Sequence, residues 1–107
     1  MIVFINGDIL KTKADAIVNP VNCEGVMGKG LAYQIKIKYP KTYEAYSLAC
    51  KQGELQTGKI HSFFENDKLI INFPTKDKWR AKSKIEYITS SLPLLVDLII
   101  KSNIKSI

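Results

Sequence analysis

Cysteine is scarce in this 107-residue chain, with Cys23 and Cys50 the only two. Two thiols build no disulfide framework, and a reducing compartment is the simpler setting. Histidine is rarer still. His61 is the single imidazole, so neither a familiar zinc pattern nor a Ser-His-Asp arrangement forms without it, and no G-x-S-x-G turn is present. No metal site is expected. No apolar run approaches the roughly 20 residues that span a bilayer. The opening residues 1–8 are too short, and lack the basic flank, for a signal peptide. A cytoplasmic protein without a membrane partner is expected. Repeats, low-complexity tracts and linkers are also missing, so residues 1–107 read as one domain.

What is present is an ordinary globular composition, 46% apolar and 24% charged, with an excess of lysine. Sixteen basic residues against ten acidic ones give a net charge of +6. Such a balance favours polyanionic partners, or a solvated lysine-rich surface.

Residues 2–5 (Ile-Val-Phe-Ile) read as a strand closed by the turn Asn6-Gly7-Asp8. Residues 16–19 (Ala-Ile-Val-Asn) read as a buried strand stopped by Pro20. After a glycine-rich stretch, Leu31, Ile35 and Tyr39 fall at helical spacing. Pro40 opens a second helix with Tyr43, Tyr46 and Cys50 inward and Gly53 at its end. Residues 59–64 and 68–73 form a hairpin about Glu65-Asn66-Asp67, closed by Pro74. Ser83 is the expected N-cap of a third helix, with Glu86 as its capping-box partner. Its inward face would carry Ile85, Ile88, Leu92, Leu95, Val96 and Ile99, and Pro93 should kink or split it. Asn103 fits the end of that helix, and residues 104–107 start one more strand. The order β-β-α-α-β-β-α-β implies a layered α/β domain.

Two segments carry chemistry. The first runs Asn19-Pro-Val-Asn22-Cys-Glu-Gly25-Val26-Met27-Gly28-Lys29-Gly30-Leu31-Ala32, between a buried strand and a helix. Glycines admit close backbone approach, and a helix N-terminus offers unpaired N–H groups to phosphate. The spacing matches neither a Walker A loop nor G-x-G-x-x-G, since Tyr33 takes the third glycine's place. The alternative is a tight connection that merely needs glycines. The second segment is Asn72-Phe-Pro-Thr75-Lys76-Asp77-Lys78-Trp79-Arg80, which follows a strand and so lies at a sheet end, where open α/β sheets bind ligands. Trp79 could stack on a base while Lys78 and Arg80 meet phosphates, or it could pack on the core beneath a solvated loop. Lys76 is a candidate nucleophile toward an aldehyde or a sugar C1, a role that requires the neutral amine. His61, in a strand, reads as a filler rather than a base.

These residues resemble a macro domain, the ADP-ribose-binding module, along the whole chain. The Asn6-Gly7-Asp8-Ile9-Leu10 turn, the strand ending at Asn19 with Asn22 after it, and the loop from Gly25 to Ala32 all fit that pattern. The variant Gly-Val-Met-Gly-Lys-Gly, with Asn72-Phe-Pro-Thr-Lys76 and Trp79, is similar to the branch of bacterial DNA ADP-ribosyl glycohydrolase antitoxins and terminal ADP-ribose glycohydrolases. The resemblance implies a three-layer α/β/α fold with a mixed central sheet. It implies that Asp8 and Ile9 hold adenine and that the backbone of residues 25–31 holds the diphosphate. Asn22 would orient the distal ribose, with Asn19 and Thr75 in the same ligand site, and Lys76 would attack its C1. No cofactor is implied, because ADP-ribose is ligand or product. The implied partners are ADP-ribosylated DNA, contacted by Lys78, Trp79 and Arg80, and an ADP-ribosyltransferase toxin.

The family pattern continues past the strand matched by residues 104–107, with a second glycine-rich loop, a helix and a strand. The chain therefore reads as truncated after its fifth strand. It is expected to bind ADP-ribose while turning substrate over weakly, and to cover its open edge beside residues 2–5 in a homo-oligomer. A non-catalytic ADP-ribose module and a plain nucleic-acid-binding domain are the alternatives.

Overall fold

A computed structural model describes residues 7–107. The expected strand over residues 2–5 and the start of its turn at Asn6 lie outside the described residues. From Gly7 onward the order is a 3-10 turn Ile9–Lys11, β1 Ala16–Val21, α1 Gly30–Lys38, α2 Pro40–Lys51, β2 His61–Glu65, β3 Lys68–Pro74 and α3 Ile85–Lys101. The described sheet has the order β1-β3-β2, with β1 parallel to β3 and β2 antiparallel to it. The mixed α/β architecture expected from the sequence is what forms.

β3 is central and almost wholly buried from Ile70 to Pro74. Alternation sends its side chains to two faces. Ile70, with Ile17 and Val21 of β1, packs into one core with Ile35 and Tyr39 of the α1 end, Tyr46 and Ala49 of α2, and Met27. Ile71 and Phe73 point the other way, where α3 lies against β3. The helix ends obey local rules. Gly53 (φ 71°) follows α2, and Asn103 (φ 52°) follows α3, both in the left-handed conformation. At each end the amides fold back on the last turn, Glu54 N–H to Ala49 O and Ile104 N–H to Ile99 O.

Several expectations need correction. Pro20 does not stop β1, which runs on to Val21. Asp15 and Val21 carbonyls accept from β3, so even-numbered β1 residues aim their amides at the opposite edge, where a proline costs no ladder bond. The turn of the hairpin is Asn66-Asp67 alone, both at positive φ, so Glu65 belongs to β2. Ser83 is no cap, because α3 begins one residue later with Lys84 in the cap position and no side-chain bond there. Pro93 sits inside α3 without splitting it, on the exposed side of the helix. Only part of the expected apolar face turns inward. Ile88, Leu95 and Ile99 are half-buried around a fully buried Ser91, whereas Ile85, Leu92 and Val96 stay exposed. Residues 104–107 lie along β1 without forming a ladder. The Ala16 amide bonds the Ser106 carbonyl, but Ser106 Oγ and the Asp15 carboxylate take the neighbouring amides.

One buried carboxylate ties the sheet to α2. Glu65 ends β2 and accepts from Thr42 N–H and Thr42 Oγ, both at 2.8 Å, at the first turn of α2. An anion at a helix N-terminus is stabilised by its free amides and dipole. Glu65→Ala should therefore lower stability by about 2 kcal/mol, because it leaves two buried donors without an acceptor. Glu65→Gln, which keeps a carbonyl acceptor, should lose less. Urea unfolding at neutral pH checks both, and an unchanged midpoint for Glu65→Ala would refute the capping role.

Candidate functional site

Because β1 and β3 run parallel, Val21 and Pro74 end in register at the same edge of the sheet. Both following loops, 22–29 and 75–84, thus start side by side, where open α/β sheets bind ligands. Backbone bonds stitch them together. The Val21 carbonyl accepts from Thr75 N–H at 3.0 Å and from Lys76 N–H at 3.4 Å. Cys23 N–H donates to Asp77 O at 2.8 Å, and Trp79 N–H donates to Glu24 Oε1 at 2.9 Å.

Within the first loop, the Asn22 side chain organises the turn. Its Oδ1 accepts from Glu24 N–H (3.0 Å) and Val26 N–H (3.3 Å), while its Nδ2 donates to Val26 O at 2.7 Å. The buried Tyr46 hydroxyl lies 2.8 Å from both Asn22 Oδ1 and Asn22 O and shares its proton between them. Burial drives the Tyr46 phenol far above the usual tyrosine range, so it remains a donor. Among the described residues, Asn22 Nδ2 makes one bond, to Val26 O, with one of its two protons. Gly25 (φ 87°) supplies the left-handed corner, and its carbonyl accepts from Tyr43 Oη at 3.3 Å.

The loops enclose a cleft of about 220 Å³. Its walls include seven residues singled out in the sequence: Asn22, Val26, Gly28, Lys29, Thr75, Lys76 and Trp79. Pro20, Val21 and Ala32 complete it; all three lie inside the glycine segment, where the sequence gives them no ligand role of their own. Behind the wall, α1 opens at Gly30 (φ 64°) with Lys29 as an N-cap lacking a side-chain bond. Its first amides have no intrahelical acceptor.

Other expected ligand residues stand elsewhere. The Met27 side chain is buried in the core, and that of Leu31 packs against it. Asp8 and Ile9 are not cleft walls. Asp8 accepts from Leu10 N–H and caps the 3-10 turn, which Lys38 at the far end of α1 holds through the Leu10 carbonyl. Lys78 and Arg80 are exposed on the turn around Trp79, with the Arg80 guanidinium 4.5 Å from the indole centroid. Asn19 is fully buried one residue before Pro20. It donates from Nδ2 to Asn72 Oδ1 at 3.1 Å, and Asn72 Nδ2 lies 3.1 Å from His61 Nδ1, forming a polar row across three strands. Asn19 Oδ1 has no partner among the described residues.

Beside Lys76, burial and the nearby Asp77 push the Cys23 thiol up to about 11. It therefore stays protonated and unreactive near neutral pH. Lys76 stands half-buried in the wall of the cleft that the glycine loop also lines. Among the described residues no three His, Cys, Asp or Glu side chains gather as a metal site, and no helix is long and apolar enough to cross a membrane.

The macro domain family model matches residues 18–107. The chain belongs to the macro domain family. This macro domain is 47% identical, over its full length, to the DNA ADP-ribosyl glycohydrolase of Mycobacterium tuberculosis and covers 32% of that protein. Against the Thermus aquaticus protein of the same name the identity is 40%, with 31% of that protein covered. The chain thus spans about a third of the length of these curated relatives. Among solved structures, the macrodomain of Mycobacterium tuberculosis DarG superposes with a TM-score of 0.92 at 48% identity, covering 97% of this chain and 71% of that one. Thermosipho africanus DarTG, solved in complex with ADP-ribose, gives 0.85 at 34% identity, covering 94% of this chain and 30% of that one.

The polar row makes the stability of this macro domain pH-dependent. Burial lowers the His61 pKa, against a smaller opposing effect of Glu54, and the neutral ring accepts from Asn72. An unfolded histidine titrates near about 6.5, so below that pH the unfolded chain binds more protons. The contribution of His61 is complete above that value and is lost as pH falls through the lowered folded pKa. Urea midpoints measured across this range should rise with pH in the parent. His61→Gln should remove part of that slope, and an identical slope in the variant would contradict it.

Proposed function

We propose that the cleft binds ADP-ribose and that Lys76 removes it from a nucleobase of DNA. The observation that carries this reading is that Lys76 and the glycine loop line one cleft. Two ends of the ligand are then served by different physics. The free amides at the start of α1, with Lys29 beside them, suit a diphosphate. The amine of Lys76 suits the electrophilic C1 of the distal ribose. In the step itself the neutral amine forms a bond to C1 while the bond from C1 to the base nitrogen breaks. The base leaves with the electron pair and takes up a proton, and water later releases the sugar and restores the lysine.

The names of the relatives support this substrate, and the ligand in the Thermosipho africanus structure supports ADP-ribose. A curated Thermosipho africanus relative is a fusion of a DNA ADP-ribosyl transferase with the glycohydrolase, 31% identical to this chain, which supports a transferase partner whose product this domain consumes.

Gly28 provides a test that separates ligand approach from folding. It lies outside the left-handed region, and a Cβ there would meet only Val26 Cγ1, at 3.5 Å. Gly28→Val should leave the melting temperature close to the parent's while weakening ADP-ribose binding at least tenfold by calorimetry. Unchanged affinity would remove the diphosphate from this loop. In any form of the protein that turns substrate over, Lys76→Ala should abolish release of ADP-ribose from a modified oligonucleotide and retain much of the binding. Release at the parent rate would end the nucleophile assignment.

A further inference from the structure

We infer that the segment 75–84 is a docking track for single-stranded nucleic acid, with Trp79 as the surface on which one unpaired base stacks. The inference rests on the reading above and locates the strand that carries the ADP-ribose. A tryptophan in a small domain ordinarily belongs to the core. Trp79 does not: it is 37% exposed, takes no part in the core cluster, and stands in the cleft wall with Lys76. The structure also holds it in place. Its amide is fixed by Glu24 Oε1 at 2.9 Å, the Asp77 carbonyl before it accepts from Cys23 N–H, and Ala81 N–H closes a turn onto Lys78 O at 2.9 Å. An exposed aromatic side chain held at its backbone loses little freedom when a ligand stacks on it.

Charge complements this surface. Residues 76–84 contain five basic side chains and a single acid, Asp77. The Arg80 guanidinium lies 4.5 Å from the indole centroid. It stacks with the ring and adds a cation beside the base site. Lys78, Lys82 and Lys84 are exposed along the same segment. Aromatic platforms flanked by cations bind single strands with little sequence preference, because every base has a stacking face and every nucleotide a phosphate. A duplex keeps its bases paired and stacked and offers Trp79 nothing. The strand would place one base on Trp79 and its modified neighbour at Lys76, since both residues line the same cleft.

Trp79 is the only tryptophan, so tryptophan fluorescence, excited at the red edge where the five tyrosines do not absorb, reports on this site alone. The probe is an unmodified 12-mer of thymidine at low salt, titrated into the 107-residue chain. Saturable quenching is expected. The slope of log K against log salt should be about −2 if three lysines each meet a phosphate on a single strand. By anisotropy of a labelled strand, Trp79→Ala should weaken binding roughly tenfold or more, in line with the loss of one base stack. The triple variant Lys78→Ala, Lys82→Ala, Lys84→Ala, at exposed positions outside the ADP-ribose cleft, should flatten the salt slope and leave ADP-ribose calorimetry unchanged. Absence of quenching overturns the track, as does a duplex of equal length that binds as tightly and is indifferent to Trp79→Ala. If the single strand quenches Trp79 while ADP-ribose fails to bind, the track stands and the glycohydrolase reading falls. The converse result overturns the track alone.

Discussion

Asn22 stands where β1 gives up its ladder to β3, and its amide group replaces the missing strand bonds with bonds inside the loop. Everything at the cleft hangs from that point. The carbonyl before it, on Val21, receives the first two amides of the facing loop, and the two residues after it, Cys23 and Glu24, hold Asp77 and Trp79. The arrangement depends on the parallel pairing of β1 and β3, since antiparallel strands would send the two loops to opposite ends of the sheet. Tyr46 anchors the knot from the core, so the buried layer between the sheet and α2 sets the loop geometry directly.

The same arrangement explains how a small open cleft can be preorganised. The glycine loop spends its polar groups internally, on Asn22 and Tyr43, and among the described residues no side chain caps the amides at the start of α1. The facing loop leaves the Lys76 and Trp79 side chains in the wall because their backbones are tied down. Ordering costs are met in the folded state, before any ligand arrives.

Much of this was legible in the sequence because it is local. Pro40 at the start of α2, Gly53 and Asn103 after helices, and the Asn-Asp hairpin turn each act within a few residues of themselves. The segments bearing Asn22, Gly28 and Lys76 were found for the same reason: glycine spacing and a strand followed by Thr-Lys are contiguous signals. Long-range facts left no such trace. Which edge of β1 faces β3 decides that Pro20 is tolerated, and nothing near Pro20 encodes it. The apolar face of α3 is wider than the sheet covers, so periodicity alone could not choose Ile88 and Leu95 over Ile85 and Val96. The Tyr46 bond to Asn22 spans 24 positions and the Glu24 bond to Trp79 spans 55, distances over which composition and spacing carry no information. The burial of the Met27 side chain in the core is another long-range fact, and it leaves the backbone of residues 25–31, the part that the resemblance assigns to the diphosphate, unaffected.

The central claim is that ligand recognition occurs between the start of α1 and the loop after β3. An amide-resolved NMR titration of the isotopically labelled chain with ADP-ribose tests it most directly. Shifts should concentrate at residues 25–32, at Thr75 and Lys76, and at the amide and indole N–H of Trp79. Shifts gathered instead around a different cavity, lined by Asp15, Phe64 and Asn103, or no shifts at saturating ligand, would contradict the account.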